Sequence, residues 1–180
     1  MGRLGKLPVE IPEKAKAEIK GTEVSVTGPM GSLDRTFSDM VKISDSPEGI
    51  FVEAKGNSKS AKQHQGSTRA HIANMIAGVT EGWKKRLEVN GPGYRAEVNG
   101  QDLVLTVGYS HPIVITAPEG VKFSIEKNVI TVEGADKEAV GHVSALVRRS
   151  REPNPYTGSG VKYADEKIRR KVGKQAGKVE

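Results

Sequence analysis

At 180 residues, 36% of them apolar and only 4% aromatic, the chain suits one domain or two small ones with a core of Val, Ile, Leu and Ala. The absence of cysteine excludes disulfides and thiolate metal sites and fits a reducing, cytoplasmic setting. No run of about 18 apolar residues offers a membrane span, and no apolar N-terminal stretch marks a secretion signal. The formal net charge of +6 resides in residues 148–180, where ten Lys/Arg stand against four Asp/Glu, and the 18 cations and 18 anions before them cancel.

One order of elements is written twice, offset by about 75 to 80 residues. The first copy opens with an alternating strand over 22–27, a turn at Gly28-Pro29-Met30-Gly31 and a returning strand over 33–37. Strands over 41–44 and 50–53 follow. A helix then starts between Asn57 and Ser60, where Ser60 and Gln63 have capping-box spacing. Its apolar line runs through Ala61, Thr68, Ile72, Met75, Ile76 and Val79. Gly78 and Gly82 lead to Trp83, which sets the first domain at 1–82.

Two short strands then flank Gly91-Pro92-Gly93, and Asn99-Gly100 marks a hairpin into the strand over 102–107. A turn over 108–112 and strands over 113–115, 121–124 and 129–133 repeat the first copy. The second helix starts after Asp136 as N-cap, with Ala139, Val140, Val143, Leu146 and Val147 on its inner face. Gly66 and Gly141 fall at corresponding places in the two helices. Each costs about 1 kcal/mol of helix propensity relative to Ala, so close packing on the sheet is the expected reason for them. The fold class is α+β: a tandem duplication of a small domain with an antiparallel or mixed sheet and one helix. Domains are expected at 1–82 and 83–152, followed by a basic extension at 153–180.

Catalytic and cofactor motifs fail on inspection. Gly91-Pro92-Gly93-Tyr94-Arg95-Ala96 spells a dinucleotide fingerprint, but that motif must open a helix, and here a strand and a hairpin turn follow. His64, His71, His111 and His142 lack carboxylates at metal-ligand spacing. No acid, base and nucleophile can be assembled, so no enzyme, cofactor or small-molecule substrate is expected.

The basic segment has a different character, interleaving Pro, Gly and Tyr with cations, a composition suited to irregular RNA. Phosphate contacts are expected from Arg148, Arg149, Arg151, Lys162, Lys167, Arg169, Arg170, Lys171, Lys174 and Lys178. Arg148, Arg149 and Arg151 also favour the end of the helix dipole whatever the function. Tyr156 and Tyr163 either stack on a base or ribose or pin the segment to its own domain. Gly158 and Gly160 allow close backbone approach. Gly91, Gly93, Tyr94 and Arg95 in one loop, with Ser110 and His111 in another, are secondary candidates, since hairpin tips carry such residues for turn chemistry alone. Val161, Tyr163, Ala164 and Ile168 point to a folded continuation. Rival readings are a protein-interaction module and an enzyme acting on nucleic acid.

Several motifs run in the order seen in one family. They are 78–83 (GVTEGW), Leu87-Glu88-Val89, Gly93-Tyr94-Arg95-Ala96, Val107-Gly108-Tyr109-Ser110-His111-Pro112 and 160–166 (GVKYADE). The chain thereby resembles the bacterial large-subunit ribosomal protein six family over essentially its whole length. In that family's Tyr-Lys-Gly-Lys-Gly run, Thr157 and Ser159 replace the two lysines. The resemblance implies a duplicated α+β fold and a structural, non-catalytic role on the ribosome in the cytoplasm. It also implies binding to large-subunit (23S) rRNA through the second domain and tail, near the sarcin-ricin loop and the docking region of translational GTPases, beside neighbouring ribosomal proteins.

Overall fold

Alternation of inward and outward side chains marks most of the strands, and each half carries a single helix. The computed structural model describes residues 7–46 and 49–174. It divides into one unit of Met1–Trp83 with Gly134–Lys137 and a second of Lys84–Glu133 with Glu138–Glu180.

In the first unit β1 (Lys16–Lys20), β2 (Glu23–Gly28) and β3 (Gly31–Thr36) form an antiparallel sheet in that order. β4 (Val41–Ser46) and β5 (Gly49–Ala54) form a second antiparallel pair. Val9 bridges Ile50 through two backbone hydrogen bonds of 2.9 Å. Helix α1 (Lys59–Thr80) buries the expected line Ala61, Thr68, Ile72, Met75, Ile76 and Val79, joined by Gly78. Val24, Val26, Val41, Ile50, Ile72 and Val79 are almost fully buried. Each such side chain contributes about 1.5–3 kcal/mol of burial. The α1 cap is Ser58, not Ser60: the Ser58 hydroxyl accepts the Ala61 amide at 3.1 Å, whereas the Ser60 hydroxyl faces the Met40 sulfur.

The second unit repeats this plan. β7 (Arg95–Asn99), β8 (Asp102–Thr106) and β9 (Ile113–Thr116) form the three-stranded sheet. The register Asn99↔Asp102 matches Lys20↔Glu23 in the first unit. The two-residue loops that these pairs close each begin with a glycine of positive φ, Gly100 at 64° and Gly21 at 68°. β10 (Val121–Glu126), β11 (Val129–Gly134) and β6 (Trp83–Asn90) lie in a second sheet, beside α2 (Lys137–Ser150) in the chain. The copies thus share an α+β architecture produced by duplication.

The two copies part company at two places. Pro29 and Met30 alone separate β2 from β3, whereas six residues, 107–112, separate β8 from β9. In addition, the chain beyond α2 returns as β12 (Gly160–Tyr163), which pairs antiparallel with β6 and completes the order β10-β11-β6-β12. Val161 is fully buried there, so residues 160–163 belong to the sheet of the second unit.

Three details of the sequence reading change. On α2 the buried set is Val140, Val143, Ser144 and Val147, an i, i+3, i+4, i+7 stripe, which leaves Leu146 40% exposed. Ser144 is tolerated inside because its hydroxyl donates to the Val140 carbonyl at 2.6 Å. Gly66 and Gly141 face open space, so close packing does not account for them. Close approach in the first unit is found instead at Gly28, where a Cβ would sit 2.6 Å from the Val79 carbonyl oxygen, and at Gly49 and Gly78, which face the Val9 and Ala135 carbonyls.

Candidate nucleic-acid interface

The last turn of α2 delivers arginines in two directions, and their partners separate their roles. Arg148 turns inward: its Nε–H donates to Glu166 Oε2 at 2.8 Å and its Nη2–H to Oε1 at 2.6 Å, with Glu152 at 3.9 Å. Only 28% and 24% of the Arg148 and Glu166 side chains are exposed. The Arg148 hydrogen bond, outweighing the opposing effect of burial, holds the Glu166 carboxyl below its usual pKa, and Arg148 is raised correspondingly by Glu166. Glu166 also accepts the Tyr163 amide at 3.2 Å, which fastens the chain just after β12.

Lys162 is engaged in the same way, paired at 2.7 Å with Glu88, its cross-strand neighbour on β6. Tyr163 is half-buried under the Lys85 ammonium, 5.6 Å from its ring centre, and is therefore an anchor of the segment. Gly160 is buried, and a Cβ there would meet the backbone of Pro153 at 2.6 Å. Arg148, Lys162, Tyr163 and Gly160 are thus engaged in the chain's own structure.

Arg149 and Arg151 face outward at a groove of about 500 Å3 lined also by Tyr109, Glu152, Pro153, Asn154, Pro155 and Tyr156. The Arg151 guanidinium lies 4.9 Å from the centre of the Tyr109 ring. The neighbouring phenols of Tyr109 and Tyr94 raise its pKa above the ordinary arginine value. Tyr109 stacks on His111 with ring centres 6.3 Å apart and planes 23° from parallel. Tyr94 reaches this cluster because Gly91 and Gly108 leave it room. A Cβ on Gly91 would stand 2.6 Å from its ring, and one on Gly108 would stand 3.2 Å away.

The wall of the groove is a braced loop. Asn154 receives the Tyr156 amide on its side chain and the Gly158 amide on its carbonyl, both at 2.8 Å, and the Asn154 amide donates to Ser159. Tyr156 is left 57% exposed at the rim. The following segment runs back along this loop, with the Lys171 amide donating to the Pro155 carbonyl at 2.9 Å and the Arg170 guanidinium over Gly158. Lys167, Arg169, Arg170, Lys171 and Lys174 are exposed, and Lys178 lies outside the described residues.

The structure therefore joins Tyr94, Tyr109, His111, Arg149, Arg151 and Tyr156 at one end of the second unit, with residues 169–171 alongside. Gly93, Arg95 and Ser110 are exposed and, like Tyr94 and His111, do not line the groove itself. Sequence reasoning missed Tyr109 as a site residue, together with the prolines at 153 and 155. The available signal was an aromatic residue in a Gly-Tyr-Ser turn two positions from a histidine. Among the described residues, no group of three or more His, Asp or Glu side chains is placed to hold a metal ion, and no helix is long and apolar enough to cross a membrane.

Comparison with known proteins fits this duplicated architecture. The family described as ribosomal protein L6 matches over residues 11–82 and again over 90–164. The large ribosomal subunit protein uL6 of Synechococcus sp. strain RCC307 is 48% identical across 97% of this chain and 98% of its own length. The uL6 of Carboxydothermus hydrogenoformans is 48% identical over 99% and 98% of the two chains, and that of Acaryochloris marina 46% over 99% of both. The fold and these likenesses define a ribosomal protein, a structural component and not an enzyme. The chain belongs to the ribosomal protein L6 family, as its motifs anticipated.

Proposed function

We propose that the chain serves the large ribosomal subunit by binding large-subunit (23S) rRNA mainly through its second unit and C-terminal segment. The observation that carries this reading is the convergence of Arg149, Arg151 and the exposed run 169–171 on one aromatic-lined end. The cations at 169–171 neutralise phosphates, and the exposed tyrosines with the arginines beside them meet unpaired bases. Arg148, Lys162, Gly160 and Tyr163 act behind this surface as its supports. The names of the relatives support the large subunit as the home of the chain. The family resemblance supports a cytoplasmic, ribosome-bound location beside neighbouring ribosomal proteins, near the sarcin-ricin loop and the docking region of translational GTPases.

The test is binding of the full chain to a large-subunit rRNA fragment and to an unrelated structured RNA across a salt series. It is repeated with Lys167, Arg169, Arg170 and Lys171 changed to Gln. Point changes are required because ending the chain at Glu152 would remove β12 from its sheet. Selective, salt-sensitive binding whose log–log slope falls by about 0.7–0.9 per lost phosphate contact is expected. Equal weak binding to both RNAs, unaltered in the variant, refutes the reading and favours the protein-interaction alternative.

A further inference from the structure

We propose that the groove between Tyr109 and Tyr156 is a pocket for one unstacked nucleobase, an inference that rests on the rRNA-binding reading above. All four tyrosines of this aromatic-poor chain lie in the second unit; Tyr109 and Tyr156 line the groove, and Tyr94 lies against Gly108, next to Tyr109 in the chain. Two of them, Tyr109 and Tyr156, stay substantially exposed although burial would stabilise the fold. Exposed aromatic planes beside a fixed guanidinium plane are what a flat, neutral, polar-edged ligand needs on its faces.

The polar lining decides between base and phosphate. Glu152 and Asn154 sit in the groove with Arg149 and Arg151. A carboxylate within the lining repels a phosphate but accepts hydrogen bonds from the amino groups of a base. The Arg151 guanidinium already lies over the Tyr109 ring, 4.9 Å from its centre, so it is held at the groove in advance. The cations at 169–171, outside the groove but tied to its wall through Pro155, suit the flanking phosphates. The volume, about 500 Å3, lies within the range of about 300–1,000 Å3 seen for small-ligand pockets. A continuous duplex keeps its bases stacked and cannot enter.

The experiment compares three RNA hairpins bound by the full chain: a continuous duplex, the same hairpin with a single-nucleotide bulge, and one in which that bulged nucleotide is abasic. The bulged hairpin is expected to bind about ten-fold tighter than either other. Tyr156→Ala and Tyr109→Leu are each expected to erase that advantage while leaving the salt slope unchanged. Both side chains are exposed, so folding is preserved, and Tyr156→Trp should retain the preference. Equal binding of the bulged and abasic hairpins, or an advantage that survives both substitutions, overturns the pocket while leaving rRNA binding in place. Binding of all three no tighter than to heparin at every salt concentration overturns both readings together.

Discussion

Changing Glu166 to Gln tests whether the inward pair with Arg148 fastens the segment after β12. Gln preserves size and one acceptor but removes the charge from a bidentate contact at 2.8 and 2.6 Å. Hydrogen bonds to charged groups net about 1.5–3 kcal/mol. Because about a quarter of each side chain is exposed, solvent screens the pair, and the expected loss is about 1–2 kcal/mol. The loss should be local, since Glu166 also receives the Tyr163 amide.

Hydrogen exchange followed by mass spectrometry should show peptides across β12 exchanging about ten-fold faster in the variant, the equivalent of about 1.4 kcal/mol. The pH dependence has a definite sign. The Glu166 carboxyl is held below its reference value of 4.5, so its contribution is complete above that value and is lost as pH falls through the folded pKa. Protection of β12 in the native chain should therefore fall on acidification through this range, and the Gln variant should lack that component. Identical protection in the two proteins from about pH 3 to 7 would show that neighbouring strand pairing alone holds the segment, refuting the role given to Arg148.

Three further outcomes follow from packing. Gly91→Ala places a methyl 2.6 Å from the Tyr94 ring and should cost about 1–3 kcal/mol in chemical denaturation while weakening RNA binding through the lost support of Arg151. Lys162→Met removes a partly exposed cross-strand pair and should cost about 1 kcal/mol or less, with the salt slope of RNA binding unchanged, because that ammonium already serves Glu88. Leu87→Ala empties a fully buried position on β6 and should cost about 2–5 kcal/mol by urea titration.

Local pattern carried much of this architecture. Alternation in EVSVTG and DLVLT, with glycines at the adjoining turns, exposes the repeat because these strands pair with near neighbours in the chain. β1 escaped notice because KAEIK hides a two-residue inward face, Ala17 and Ile19, among three charges. The helix after Asp136 was legible, but its exact face was not: Leu146 is apolar yet lies off the stripe that Ser144 occupies. Charge in the sequence also cannot name its own partner. Arg148 and Arg151 look alike in a basic run, and only the folded chain sends one to Glu166 and the other to Tyr109. The groove itself joins residues about forty-seven positions apart, from Tyr109 to Tyr156, a distance over which no periodicity operates.

The late return of β12 orders events during biosynthesis. β6 emerges early, but its neighbour on one side is made only some seventy residues later. Until Gly160–Tyr163 leave the exit tunnel, β6 offers unpaired backbone groups, and the apolar surface that Val161 will cover remains wet. A nascent chain arrested before that point presents an open sheet edge, a template for aggregation and a target for proteolysis. Closure of the sheet therefore waits for β12, and the strand that it covers stands open on that side for the synthesis of some seventy residues.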